Sequence, residues 1–219
     1  MADSNKMRTE RAEAARMKVE AARGAERRRS VVTWSVVALV VLVLGGFGAK
    51  VITDSIRSNE AVAEAAAGPI DGVEVFDGLS AKHVEDLPEP TATDGVRLPP
   101  VGGDHSSAPQ NCGIYNDPVG SWNAVHSLEH GAVWVTYQPD LAADQIAILA
   151  GDATGHDHVL LSPFPELGSP VVLSAWGLQL QVDSASDPRV QTFIKKYENG
   201  PQNPEPGAAC SGVGEPDAN

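Results

Sequence analysis

The chain has 219 residues, a net charge of −13 and an ordinary hydrophobic content of 42%. Its charge is unevenly divided, because residues 1–30 contain nine Lys/Arg and five Asp/Glu, whereas residues 53–219 contain six Lys/Arg and 24 Asp/Glu. A surface this acidic repels phosphate backbones, so the composition argues against nucleic acid as a partner of the C-terminal part.

The N-terminal region has the composition of a basic tail followed by a membrane span. Residues 1–30 are rich in Ala, Glu and Arg, which favour helices, and we predict a cytoplasmic basic helical tail. The next 19 residues, 31–49, are uncharged and as a helix would be about 28 Å long, close to the hydrocarbon thickness of a bilayer. A signal peptide and a buried core helix are the alternatives, but a signal peptide's apolar region is only about 7–15 residues long. We therefore predict one transmembrane helix over residues 31–52.

The charges that flank this span predict its orientation. Arg27, Arg28 and Arg29 directly precede it, whereas Lys50 and Arg57 on the other side are mixed with acidic residues. Positive charge near a span favours the cytoplasmic side. The predicted localisation is the cell membrane, single-pass, with the N-terminus in the cytoplasm and the C-terminal domain extracytoplasmic.

After the span, the pattern predicts a linker over residues 53–69 and an α+β domain over residues 70–210. Strands are predicted in GAVWVTYQP (131–139), HVLLSPFP and SPVVLSAWGLQLQVD, and helices are predicted after Asp140 and after Asp187. We expect a single compact domain with a mainly antiparallel sheet and two or more helices. The last residues, 211–219, are predicted to be a disordered tail.

The chain contains two cysteines, Cys112 and Cys210, and both lie in the predicted outer domain. Free thiols and thiolate metal ligands are the alternatives, but disulfides persist outside the cytoplasm. We predict a disulfide between the two, which would close a loop of about 98 residues and stabilise the fold by roughly 4.7 kcal/mol.

The segment NAVHSLEHG at 123–131 contains His126, Glu129 and His130 within five residues. In a helix, the two histidines would lie one turn apart with Glu129 beside them, in the H-x-x-E-H order of some zinc peptidases. In an extended segment, Glu129 would face the opposite side. The sequence leaves both geometries open.

One interpretation of this segment is a metal site. All three methionines lie in the N-terminal tail, so an outer metal would be bound by imidazole and carboxylate, which suits zinc or copper. We predict His105, His126 and His130 as metal ligands beside strand 132–138, with Glu129 as an acceptor that orients one imidazole. The alternative is that these histidines only satisfy buried backbone groups.

The chain also resembles a known family. The resemblance lies in PPVGGDH (99–105), NCGIY (111–115), AVHSLEHGAVWVTY (124–137), LSAWG (173–177) and ENGPQNPEPGAAC (198–210). These stretches are similar to those of actinobacterial single-pass membrane proteins catalogued as domain of unknown function 3105. The resemblance implies one membrane anchor and an outer domain, without an established activity.

Two classes of function follow from the sequence. The first is a membrane-anchored outer domain that binds a divalent metal, and the second is a metal-free module that recognises another protein of the cell envelope. A zinc-dependent hydrolase has less support, because a catalytic zinc needs a third protein ligand and H-x-x-E-H normally lies on a long helix. We therefore predict no catalytic residue.

Overall fold

The computed structural model describes residues 34, 39–44, 47, 50–95 and 97–217. The chain divides into two units, Met1–Ser58 and Asn59–Asn219. In the first unit, the described residues are helical.

Half of the predicted span 31–52 lies outside the described residues, as does the whole of the predicted tail 1–30. Among the residues that are described, no helix is both long enough and apolar enough to cross a membrane. The membrane span and its orientation therefore stay predictions.

The second unit is an α+β domain built on one six-stranded sheet. It begins with helical residues 59–67 (α1), within the segment that we predicted to be a linker. The remaining elements are, in chain order, β1 (Glu74–Val75), β2 (Gly113–Ile114), α2 (Ser121–Glu129), β3 (Val133–Tyr137), α3 (Ala143–Ala153), β4 (Val159–Pro163), β5 (Val171–Ala175), β6 (Leu178–Val182) and α4 (Arg189–Tyr197).

The sheet has the strand order β1-β6-β5-β3-β4-β2 and is mixed. β6 pairs antiparallel with β1 and β5, and β5 pairs antiparallel with β3, whereas β4 pairs parallel with both β3 and β2. The α+β class is confirmed, but the expected mainly antiparallel sheet is corrected to a mixed one. The physical reason is that α3 crosses between β3 and β4 and returns the chain in the same direction.

One predicted helix boundary needs correction, and most of the predicted C-terminal tail makes hydrogen bonds with the domain. α3 begins at Ala143, not after Asp140, because residues 138–141 form a turn in which Leu141 N–H donates to Gln138 O at 2.9 Å. Residues 211–217 belong to the segment predicted to be a disordered tail, and they make backbone hydrogen bonds. Val213 N–H donates to Pro109 O at 2.8 Å, and Asp217 N–H donates to Ile114 O at 2.9 Å.

The strands bury both of their faces, and two apolar clusters cover them. On one face, Val133, Val135 and Leu173 pack with residues of α3 and α4. On the other face, Trp134 and Val172 pack with residues of α2. Alternate residues of a strand point to opposite faces, so α2 lies across the sheet from α3 and α4. The candidate site lies on the α2 side.

Candidate metal centre

The helix α2 brings His126, Glu129 and His130 to one place, which settles the question of helix or strand that the sequence left open. Helical spacing puts residues 126, 129 and 130 on one side of the helix. His126 and Glu129 are buried, with 4% and 2% of their surfaces exposed. A carboxylate this deeply buried requires partners that compensate its charge.

The end of α2 explains how a strand can follow the site at once. Gly131 N–H donates to Leu128 O at 3.0 Å, and Ala132 N–H donates to Ser127 O at 2.9 Å. These two bonds form a Schellman motif, in which the residue after the helix adopts a left-handed conformation. Gly131 has φ +98°, which a residue with a side chain rarely adopts, so glycine suits the turn into β3.

His105 comes from the irregular crossing between β1 and β2. Shortly before His105, the backbone at Gly102 packs closely against Leu79. A Cβ at this position would lie only 2.7 Å from Leu79 Cδ1, so glycine fits there. The backbone of His105 then pairs in parallel with that of His83, since Val84 N–H donates to His105 O at 2.8 Å and His105 N–H to Lys82 O at 3.0 Å. This short pairing brings a second histidine from the crossing to the site.

Four side chains converge on one another in this place. Glu129 Oε2 lies 3.0 Å from His105 Nε2, 3.3 Å from His83 Nε2 and 3.9 Å from His126 Nε2. One potential ligand atom from each residue lies within 4.8 Å of all the others. Three imidazoles and one carboxylate form a donor set that suits zinc and copper.

The orientation of the imidazoles is fixed by backbone carbonyl groups. His105 Nδ1 lies 2.7 Å from Gly103 O, and His126 Nδ1 lies 2.8 Å from Ser106 O. A carbonyl oxygen only accepts, so Nδ1 of each ring must carry the proton and donate it. In a neutral imidazole, Nε2 is then the unprotonated nitrogen with a free lone pair. This is the arrangement found in metal-binding histidines, whose second nitrogen is held by an outer acceptor.

His126 is held in its neutral form by its surroundings. Burial lowers the pKa of His126 below its ordinary value of 6.5, the bond to Ser106 O opposes that shift, and the nearby His130, His105 and His83 lower the pKa further. Metal ions bind neutral imidazole. The environment therefore favours the protonation state that a metal ligand needs.

One residue of the group remains accessible to solvent. The side chain of His83 is 43% exposed, whereas those of His105 and Glu129 are 0% and 3% exposed. The rings of His83 and His126 stack with their centroids 4.6 Å apart. His83 thus covers the buried ligand atoms and gives the site one side that faces solvent.

The predicted residues are brought together, although the group differs from the predicted one. His130 lies next to the four residues, with its Nε2 3.0 Å from His126 Nε2 and 3.3 Å from Glu205 Oε2. Glu129, predicted to orient an imidazole, presents its own oxygen among the possible ligand atoms. His83 was not among the predicted ligands, because only its pairing with His105 brings it to the site.

The predicted disulfide is confirmed, and it lies beside the site. Cys112 and Cys210 are joined with an S–S distance of 1.96 Å. The disulfide fixes the C-terminal segment, whose Ala209 O lies 2.7 Å from His130 Nδ1. The same segment contains Glu205, so the disulfide helps to keep both of these contacts of His130 in place.

Comparison with protein families matches residues 91–212 to the family described as "Protein of unknown function (DUF3105)". No curated protein matches the chain, and no solved structure matches it. The family match includes His105, His126 and Glu129, whereas His83 precedes it. Because the match covers more than half of the 219 residues and agrees with the resemblance seen in the sequence, the chain belongs to the DUF3105 family.

Proposed function

We propose that this domain binds a divalent transition metal, zinc or copper, through His83, His105, His126 and Glu129. The observation that supports it most strongly is the convergence of three imidazole nitrogens on one buried carboxylate oxygen, with Nδ1 of His105 and of His126 held by carbonyl oxygens. If no cation were bound, the Nε2 lone pair of His105 would face Glu129 Oε2 at 3.0 Å, which is unfavourable unless a proton lies between them. A divalent ion satisfies all four groups at once.

The choice of metal follows from the donors. Imidazole nitrogen and carboxylate oxygen are typical ligands of Zn²⁺ and Cu²⁺, whereas Cu(I) prefers thioether and thiolate. Both cysteines are used in the disulfide, and the three methionines lie in residues 1–17. The proposed site therefore takes a divalent ion of borderline softness.

Elemental analysis tests this proposal directly. The full chain, purified in detergent without a histidine tag, should contain at least one zinc or copper ion per molecule after exposure to the metal and removal of the excess. Glu129→Gln keeps the size of the side chain but removes its charge, and we expect it to lower the metal content by one ion or more.

Glu198→Gln is the matched control for this substitution. Glu198 also accepts a hydrogen bond from a histidine, since His156 Nδ1 lies 2.6 Å from Glu198 Oε2, but it lies outside the cluster. It should retain the full metal content. A wild-type chain that is folded and metal-free would contradict the proposal and would favour the metal-free module that recognises an envelope protein.

Thermal unfolding separates a metal ligand from a residue that only stabilises the fold. A ligand at 100 times its Kd stabilises a protein by about 2.7 kcal/mol. We expect zinc to raise the melting temperature of the wild type and to raise that of His126→Ala much less. Equal stabilisation of both by zinc would contradict a role of His126 as ligand.

We also propose that the domain is displayed outside the cell on a single membrane span, residues 31–52. The support is the uncharged run 31–49 and the arginines at 27–29. Labelling of Glu60→Cys by a membrane-impermeant maleimide in intact cells tests the orientation. Labelling is expected before lysis, and protection of this cysteine until lysis would contradict the proposed topology.

A further inference from the structure

We infer that the cluster holds two cations, one bound by His83, His105 and Glu129 and a second by His126, His130 and Glu205. This inference rests on the proposed function and extends it from one ion to two. It follows from contacts that lie next to the four-residue group.

Two separations within the second set of ligand atoms are close to those between neighbouring ligands of one metal ion. His126 Nε2 lies 3.0 Å from His130 Nε2, which in turn lies 3.3 Å from Glu205 Oε2. Zinc binds imidazole nitrogen and carboxylate oxygen at about 2.0–2.2 Å, so two neighbouring ligands of a tetrahedral ion lie roughly 3.3–3.6 Å apart. Both observed separations are close to this range.

The positions of the protons on the two imidazoles favour a cation between them. His126 Nδ1 lies 2.8 Å from Ser106 O, and His130 Nδ1 lies 2.7 Å from Ala209 O. Both Nδ1 atoms therefore donate to carbonyl oxygens, and both neutral rings present a lone pair at Nε2. Two lone pairs that face each other at 3.0 Å repel unless a proton or a metal ion lies between them, and a shared metal ion turns this repulsion into binding.

The two sets of residues have the same composition. Each consists of two imidazoles and one carboxylate, and Glu129 and Glu205 supply one negative charge to each. A set of two histidines and one glutamate leaves a coordination position open, as in catalytic zinc sites. Glu205 is 50% exposed, so the second position faces solvent more than the first.

His126 belongs to only one of the two ions in the doubly loaded cluster, because an imidazole nitrogen has one lone pair. Its Nε2 is nearer to His130 Nε2, at 3.0 Å, than to Glu129 Oε2, at 3.9 Å. With one ion bound, His126 completes the four-ligand site. When a second ion enters, His126 binds that ion together with His130 and Glu205.

The stoichiometry of zinc tests the inference. The apo full chain, purified in detergent without a histidine tag, is titrated with Zn²⁺, and bound zinc is counted by elemental analysis and native mass spectrometry. We expect two ions per wild-type chain and one per chain in both Glu205→Gln and His130→Ala. Glu129→Gln removes a ligand of the first ion, so it should also reduce the number of zinc ions bound per chain.

Two variants serve as matched controls, and both should keep two ions. Glu215→Gln removes an exposed carboxylate of the same C-terminal segment. His156→Ala removes a histidine that pairs with Glu198 outside the cluster. The thermal unfolding of each apo variant shows whether the chain is still folded, which is expected for Glu205→Gln because Glu205 is half exposed.

The outcomes distinguish the two proposals. One zinc ion per wild-type chain would overturn the second cation and leave the proposed function intact, whereas none would overturn both. Two ions in the wild type and also in Glu205→Gln and His130→Ala would place the second ion elsewhere and overturn the inference. With Cu²⁺ as the probe, magnetic coupling between two ions in the electron paramagnetic resonance spectrum is the expected independent sign of their proximity. Two uncoupled Cu²⁺ signals would contradict the binding of both ions within the cluster.

Discussion

The two faces of the central sheet are both buried, yet the same strands present different chemistry to each. On the face covered by α3 and α4, the strands contribute Val133, Val135 and Leu173 to an aliphatic and aromatic cluster. On the α2 face, the alternating positions include Thr136 and Ser162, both fully buried. One face therefore depends on apolar burial, and the other combines it with hydrogen bonds.

The polar groups of the α2 face are satisfied within the domain. Trp134 Nε1 donates to Ser162 Oγ at 3.0 Å, and Thr136 Oγ1 donates to Val172 O at 2.9 Å. Gln179 Nε2 donates to Pro99 O at 3.0 Å and so links the sheet to the crossing that contains His105. The α2 face therefore includes a polar contact with the crossing that contains His105, whereas the opposite face carries the larger apolar cluster.

The largest effect is expected from a truncation on the apolar face. Phe193 is fully buried and packs on Tyr197, with ring centroids 4.6 Å apart. Phe193→Ala should lower the free energy of unfolding by about 3–5 kcal/mol, because it removes apolar contacts and leaves a cavity. Denaturant unfolding with zinc and with a chelator should give the same loss. A loss that depends on zinc would mean that the two faces are coupled.

The next largest effect is expected from the covalent link on the cluster side. Replacing both Cys112 and Cys210 by Ser should lower the free energy of unfolding by about 2–5 kcal/mol, since it removes a link across a separation of 98 residues. It should also weaken zinc binding, because the linked segment supplies Ala209 O to His130. Zinc titration and denaturant unfolding measure the two effects separately. Unchanged zinc binding in a folded variant would show that the cluster does not need the link.

Two substitutions at neighbouring positions of β3 compare the stability contributions of the two faces directly. Thr136→Val on the α2 face removes one hydrogen bond and should cost about 0.5–1.5 kcal/mol. Val135→Thr, at the neighbouring position on the apolar face, buries a new hydroxyl group and should cost about 1–3 kcal/mol. Denaturant unfolding of the two variants gives both values. The reverse order would contradict the difference between the faces.

The smallest effect is expected from an ion pair at the surface near α4. Hydrogen bonds from the Arg189 side chain hold the pKa of Asp187 below its ordinary value of 3.8. A carboxylate with a lowered pKa stabilises the fold above the pKa of the unfolded chain and loses this effect as the pH falls through its folded pKa. Asp187→Asn should therefore cost about 0.2–1 kcal/mol at pH 7, as for other ion pairs at protein surfaces.

The measurement for Asp187→Asn is the difference in unfolding free energy from the wild type as a function of pH. This difference should stay constant down to about pH 4 and shrink below that value, because both chains then lack the carboxylate charge. A difference that persists unchanged at pH 2 would have another origin.

Local patterns predicted most of the regular elements. β3 lies within the predicted strand 131–139, and α4 follows Asp187, whose carboxylate accepts a hydrogen bond from Arg189 N–H at 2.9 Å. These elements are long enough for alternation or helical spacing to be visible in the sequence. The direction of β4 was not predictable in this way, because parallel and antiparallel pairing depend on the path of the whole chain.

The candidate site was predictable only in part, for the same reason. His126 and Glu129 lie on α2 and His130 directly follows it, so their proximity follows from their spacing. His83 joins them through a parallel pairing of single residues with His105, 22 positions away in the sequence. Glu205 joins them through the segment fixed by the disulfide. Contacts between such distant, irregular segments leave no periodic pattern in the sequence.

The carbonyl oxygens that hold the imidazoles have a consequence for the comparison of relatives. Gly103, Ser106 and Ala209 accept these bonds with their main chains, which every amino acid possesses. The side chains of Ser106 and Ala209 can therefore change without loss of the carbonyl oxygen, whereas the φ of Gly103, +104°, favours glycine at that position. The carbonyl groups that orient His126 and His130 therefore leave no pattern in the sequence, and only coordinates reveal them.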